Sequence, residues 1–172
     1  EIQQDNLGVA TGETVVGTVR ESAYRAVAGA KTRGIDMEIH GEVLTDWNVS
    51  ASYSHSVTKD AEHERIRTEA PANLVKLWTT YRLPGELQQL TIGGGMNWQS
   101  GVSLTTSEGK ATQEQYAVFN LMARYDITKN LSASANLNNV FDKQYFSSLD
   151  PTFFTGYYGE PRNVMFSTKY TF

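Results

Sequence analysis

Asp36, Glu38 and His40 stand two residues apart in the stretch "IDMEIH". On a β-strand such positions share one face, so two carboxylates and an imidazole are aligned as a metal set or an acid/base group would require. The same alignment describes a hydrated wall whose side chains bond to one another, and that is the reading the pattern favours. His55 falls on an apolar face and reads as a neutral interfacial ring rather than a ligand. "HERIR" at residues 63–67 brings Arg65 and Arg67 together, cations able to attract and fork-bond an anion, although a solvated loop has the same composition. "DPTFFTGYYG" at residues 150–159 gathers Phe153, Phe154, Tyr157 and Tyr158, rings that are costly to expose unless they pack or bind something. "GGG" at residues 93–95 has no Lys-Ser/Thr or helix after it, so it is not a phosphate loop. No G-x-S-x-G or other nucleophile arrangement occurs. The expectation is therefore no catalytic residue, no metal site and no cofactor.

The totals limit what can hold these groups. Nine tyrosines and seven phenylalanines make the chain too apolar for a disordered one. A net charge of −4 argues against a nucleic-acid partner, which would want a basic face. Without cysteine there are neither disulfides nor thiolate metal sites. No run of about 18 apolar residues is present, which excludes a transmembrane helix. A transmembrane β-strand is not excluded, because it needs only ~9–11 residues with every second one apolar. Glu1 opens in polar sequence with no signal peptide, so a processed or fragmentary chain is expected.

Period two dominates the sequence. Seven strands are expected: 24–43, "NVSASYSHSV", "NLVKLWTTYRL", "LTIGGGMNWQ", "YAVFNLMARYDI", "LSASANLNNVF" and the closing "RNVMFSTKYTF". One face of each carries residues such as Ile35, Met37, Ile39, Val49, Leu77, Met96, Leu121, Leu137 and Phe166. On these faces the alternate positions across 35–39, 49–57, 75–83, 90–98, 117–125, 131–137 and 164–172 hold no Asp, Glu, Lys or Arg. The opposite faces are polar, with Asp36, Glu38, Lys76, Arg82, Arg124 and Lys169. Connections after the first, third and fifth strands are short (45–47, 84–89, 128–130), and those after the second, fourth and sixth are long (58–71, 100–115, 142–161). All long loops of an antiparallel meander then lie at one end, as in transmembrane barrels with short periplasmic turns and long extracellular loops. Trp47, Tyr81, Tyr125, Tyr170 and Phe172 fall near the short-turn end as one aromatic girdle. The fold class expected is all-β, an antiparallel meander forming part of a large transmembrane barrel. Seven strands cannot close it alone, since an open edge in lipid leaves backbone groups unsatisfied.

"NLNNVFDKQY" at 136–145, "YYGEPRN" at 157–163 and the terminal Phe172 resemble the C-terminus of TonB-dependent outer-membrane siderophore receptors, in the ferripyoverdine and hydroxamate branch. "KTRGIDMEIHGEVLTDWNVSASYSHS" and "EAPANLVKLWTTYRLPG" look like paired strands of the same family, so the resemblance covers nearly all of 33–172. It implies a barrel of about 22 strands, the plugged class of outer-membrane transporter. Residues 1–172 would supply its C-terminal segment, about seven full strands plus an N-terminal stub, with the plug domain absent. It implies a Gram-negative outer-membrane protein that binds and imports a ferric siderophore without acting as an enzyme. The partners implied are the ferric siderophore, a TonB-type energy-transducing complex acting through the plug, the barrel-assembly machinery and outer-membrane lipid. Phe172 with Tyr170 would be the assembly signal. Arg65, Arg67, Phe153, Phe154, Tyr157 and Tyr158 would be the ligand-binding candidates. Two alternatives stand beside this one: an outer-membrane barrel enzyme of protease or acyltransferase type using Asp36, Glu38 and His40, and a soluble ligand-binding β-barrel.

Overall fold

The computed structural model describes residues 2–15, 21–106, 109–151 and 154–172. Its strands are β1 (Ile2–Val15), β2 (Glu21–Leu44), β3 (Trp47–Lys59), β4 (Arg65–Ile66), β5 (Asn73–Arg82), β6 (Leu90–Gln99) and β7 (Val102–Thr106). They continue as β8 (Gly109–Gln113), β9 (Tyr116–Asp126), β10 (Leu131–Asn138), β11 (Phe146–Asp150), β12 (Thr155–Tyr158) and β13 (Asn163–Tyr170). One antiparallel sheet runs in the order β1-β2-β3-β5-β6-β9-β10-β13, with β4 attached to β3. Two hairpins, β7-β8 and β11-β12, stand apart from it.

The register aligns like with like. One row runs Ile39, Ala51, Leu77, Met96, Phe119, and a second runs Val49, Thr79, Gly94, Leu121, Leu137, Val164. The row one residue over is polar: Glu38, Ser52, Lys76, Asn97. A one-residue slip anywhere would exchange the two faces. The apolar face is not covered by protein: Ile39 is 70% exposed and Phe166 78%. A soluble chain of this size buries such a face to form its core. Among the described residues the buried hydrophobic cluster lies instead in the loops, at Val102, Leu104 and Leu149. The sheet is thus built to face lipid on one side and water on the other.

The girdle residues sit at the short-turn end. Trp47 meets Tyr81 edge-on at 6.4 Å between ring centres, and Trp47 Nε1 donates to Thr79 Oγ1 at 2.7 Å. Tyr125 donates its hydroxyl to Gln89, and Tyr170 contacts Phe172 edge-on at 5.2 Å. The turn into β3 places Asp46 at φ 63, a left-handed position that aspartate tolerates, with Glu42 Oε1 accepting from its N–H at 2.7 Å. On the polar face Arg82 and Arg124 share Asp126, at 3.9 and 2.9 Å. Trp78 on that same face lies over Gly95, where a Cβ would strike its ring.

The strand at Ile2–Val15 is not among the seven expected. It pairs with residues 21–32 of β2, a stretch to which β3 is registered only at Lys31 and Thr32. The hairpin therefore rises past most of the sheet. Its sequence, IQQDNLGVATGETV, carries no sustained period-two apolar alternation to mark it.

Charge on the apolar face should be costly. Leu77→Arg is expected to destabilise folding into phospholipid vesicles by about 2–4 kcal/mol, and Ser52→Arg on the polar face by much less. Denaturant titration of the vesicle-folded protein measures both.

Candidate functional site

The long-loop end carries the densest contacts. After β10 the chain turns through Asn139 at φ 50 and Asp142 at φ 51, both in the left-handed region that Asn and Asp enter more readily than other residues. Asn139 is 2% exposed and acts as a clasp. Its amide nitrogen donates to the carbonyls of Lys143 at 2.9 Å and Glu160 at 3.0 Å, and its Oδ1 accepts from Lys143 N at 2.8 Å. Its own N–H donates to Asn120 Oδ1 at 3.0 Å, anchoring the turn to β9. Asp142 Oδ1 accepts from Arg162 N at 2.9 Å, and Gly159 N donates to the Tyr145 carbonyl at 2.9 Å. Gly159 lies so close under the Tyr145 ring that a Cβ would overlap it. The pieces "NLNNVFDKQY" and "YYGEPRN" are thus two halves of one clasp.

Below the clasp a cavity of about 450 Å³ opens, lined by Lys76, Asn97, Gln99, Tyr116, Asn120, Tyr145 and Glu160 together with the apolar Leu74, Val75, Trp98 and Val118. Tyr116 and Tyr145 stack with ring centres 4.3 Å apart. Burial, aided by the charge of Glu160, pushes the Tyr145 phenol above its ordinary value of 10.0. Phenols, amides, one ammonium and one carboxylate thus offer hydrogen-bonding groups beside apolar side chains. No nucleophile–base pair is among them.

The loops brace one another. Phe154, at φ 47, packs with Phe146 and Ala111 against Val102, Leu104 and Leu149. Ser103 N donates to the Thr68 carbonyl at 3.0 Å, and Thr68 Oγ1 donates to the Ser103 carbonyl at 2.6 Å. Phe146 N donates to Gln113 Oε1 at 2.8 Å.

Of the residues singled out from sequence, Tyr157 and Tyr158 lie exposed on β12, Tyr158 tilted against Phe146 at 4.7 Å. Arg65 donates to the Ala70 carbonyl at 3.1 Å, and Arg67 pairs with Glu69 at 3.7 Å. The two arginines line a groove with Leu104 and Pro151, apart from the polar cavity. Phe153 lies outside the described residues. Asp36, Glu38 and His40 line the polar face opposite Ser54, Ser52 and Ser50, spread along the strand, and no His/Asp/Glu triplet among the described residues gathers as a metal set. His55 Nδ1 lies 2.9 Å from Asn73 Oδ1, which also accepts from the Tyr53 hydroxyl at 2.9 Å. Sequence reading did not single out Lys76, Tyr116, Asn120, Tyr145 and Glu160 as site residues. The signal for two of them was that Tyr145 and Glu160 stand inside the two quoted motif pieces.

Comparison with known proteins places this architecture. Residues 1–140 match the family described as TonB dependent receptor-like, beta-barrel. The chain belongs to that family. It is similar to the ferric-pyoverdine BN7/BN8 receptor of Pseudomonas putida, 48% identical over all of this chain and 20% of that receptor. Similarity to the ferric-pyoverdine 358 receptor of the same species is 43% over 99% of the chain and 21% of the receptor. The crystal structure of the outer-membrane ferripyoverdine receptor of Pseudomonas aeruginosa bound to ferripyoverdine superposes with a TM-score of 0.79, at 35% identity, over 98% of this chain and 23% of that one. The chain spans about a fifth of the length of the curated relatives it matches. The sheet is a stretch of TonB-dependent receptor barrel wall in a Gram-negative outer membrane.

Two measurements test the clasp. Asn139→Ala removes three side-chain hydrogen bonds from a left-handed turn and is expected to cost about 3 kcal/mol, seen as faster amide exchange across residues 139–162 with β3 and β5 unchanged. The Tyr145 phenol is neutral in folded and unfolded chains below pH 10.0. Above that the unfolded phenol ionises first, so the clasp's stability falls as pH rises from there through the raised folded value. The difference in phenolate absorbance between the protein and Tyr145→Phe should show one tyrosine titrating above the ordinary range.

Proposed function

We propose that the intact receptor containing this wall binds a ferric pyoverdine-type siderophore from outside the cell and imports it across the outer membrane. The observation that carries this reading is the alignment of the entire chain, loops included, with ferric-pyoverdine receptors at 43–48% identity. The polar cavity beneath the clasp supports it chemically: hydroxyls, amides and Lys76 suit a polar chelate and leave it chemically unchanged. The parent protein is a transporter and not an enzyme.

In this reading the exposed rings of Tyr157 and Tyr158 stack on the ligand, and Arg65 and Arg67 draw the anionic chelate toward the loops. Phe154, held in the loop core, keeps the loop in shape, and Phe153 beside it remains a further contact candidate. Release inward is driven by a TonB-type complex acting on a plug domain. Phe172 with Tyr170 is the signal read by the barrel-assembly machinery. Just past β13, Thr171 is tied to the turn before β10, 2.7 Å from Asn130 Nδ2 to the Thr171 carbonyl and 2.9 Å from Thr171 N to the Asn130 carbonyl.

The test is uptake of radiolabelled iron by cells whose only pyoverdine receptor is this one. Uptake of ferric pyoverdine is expected, and its absence with a correctly assembled receptor sinks the reading. Tyr157→Ala with Tyr158→Ala should weaken binding roughly tenfold or more by the loss of two stacking rings. His40→Ala should leave uptake unchanged, whereas an enzyme built on Asp36, Glu38 and His40 would lose its activity.

A further inference from the structure

Charge on the polar face is sorted by strand. Between Gly34 and the short turn, β2 presents Asp36, Glu38 and Glu42 on that face, with His40 and no lysine or arginine. Opposite them β3 presents only serines and Asn48. From β5 to β13 the same face carries Lys76, Arg82, Arg124 and Lys169 against one acid, Asp126. Two strand spacings of ~4.8 Å separate β2 from β5. No ion pair joins the acids of β2 to these cations among the described residues. Interspersed charges would compensate one another, whereas sorting leaves each group repelling its own members.

The cations converge at the short-turn end. Arg82 and Arg124 occupy one register row with Thr91 between them, and Asp126 and Lys169 another with Ser132 between them. Arg124 holds Asp126 at 2.9 Å, whereas Arg82 reaches it only at 3.9 Å and directs its Nε to the Gln88 carbonyl. Lys169 has no ion-pair partner among the described residues. Both arginine side chains are about half exposed, open to a solute. With Lys129 these groups border a cavity of about 650 Å³ at the mouth of the wall. Lys76, on the same strand as Arg82, borders the cavity beneath the clasp, ~20 Å away along β5 at 3.3 Å per residue. Trp78, the large ring between them, is folded onto Gly95.

An anion leaving Lys76 therefore meets cations again at the short-turn end and acids to one side. We propose that the β5–β13 face is the cationic side of the import passage, and that Arg82 and Lys169 receive the anionic chelate at its inner mouth. Asp126, anchored by Arg124, steadies Arg82. The acids of β2 bound the passage by repulsion, and fixed charges lining a cleft concentrate an oppositely charged solute within it. This passage presupposes the import reading above and adds a release site to it, distinct from the loops that capture the ligand.

The test uses the intact receptor as the only pyoverdine receptor of a cell. Its Kd for ferric pyoverdine is measured on de-energised cells, and its maximal uptake rate on energised cells given radiolabelled iron in that chelate. Arg82→Gln with Lys169→Gln should lower the maximal rate about tenfold and leave the Kd unchanged. Arg82→Lys with Lys169→Arg keeps the charge and should keep the rate. Heat-modifiable gel mobility confirms assembly; should the double variant not assemble, Lys169→Gln alone carries the test with a loss of about threefold. An unchanged rate in the assembled glutamine variant overturns the proposal. So does a Kd that weakens in step with the rate, because the cations then serve capture. Entry of vancomycin, too large to pass a plugged barrel, into cells carrying the variant overturns it as well, since the cations would then brace the plug. A wild type that assembles yet neither binds nor imports ferric pyoverdine refutes the import reading itself, and the passage with it.

Discussion

Inside hydrocarbon a backbone amide has no water to fall back on, and a strand can enter only if both its neighbours complete its hydrogen bonds. That requirement organises the rest of this chain. It forces consecutive strands into antiparallel pairs, and these pairs set a register in which Ile39, Ala51, Leu77, Met96 and Phe119 fall in one line. Lipid contributes nothing to holding the strands together beyond excluding water. The wall therefore needs no packed core, and its large side chains can remain as exposed to their surroundings as Phe166 is.

Where the hydrocarbon ends the requirement reverses. The loops are in water and must supply their own cohesion, which they do with a small apolar cluster at Val102, Leu104 and Leu149 and with backbone bonds between loops, such as those of Ser103 and Thr68. The cavity beneath the clasp opens at this boundary, between the wall below and the loops above. Tyr116 and Tyr145 sit there, one on a strand and one on the clasp, their rings in contact.

This boundary also divides what could be read in the sequence. Strands with one face in lipid announce themselves by alternation, and the side assigned to Leu137 and Phe166 agrees with their pairing to Val164 and Ala135. Ile2–Val15 leaves no such trace, because its sequence lacks sustained alternation and only its pairing to residues 21–32 of β2 defines it. The hairpins β7-β8 and β11-β12 were hidden within long loops for the same reason. Tyr157 and Tyr158 were conspicuous as rings in a polar loop. Lys76 and Asn120 were not, because a polar residue on a lumen-facing strand looks like any other until the folding of distant loops roofs it over. Asn139 shows the limit of motif reading: the letters marked a family, but only the fold brings one amide to span from Lys143 to Glu160.

That span has an evolutionary meaning. By joining the carbonyls of Lys143 and Glu160 at its own side chain, Asn139 fixes the entry and exit of the intervening segment to the same point on the wall. Closing a loop costs free energy that grows only slowly with its length. The residues between those two anchors can therefore be lengthened, shortened or exchanged between relatives while β10 and β13 keep their register. Such a segment behaves as an interchangeable cassette that can be rewritten without rebuilding the barrel.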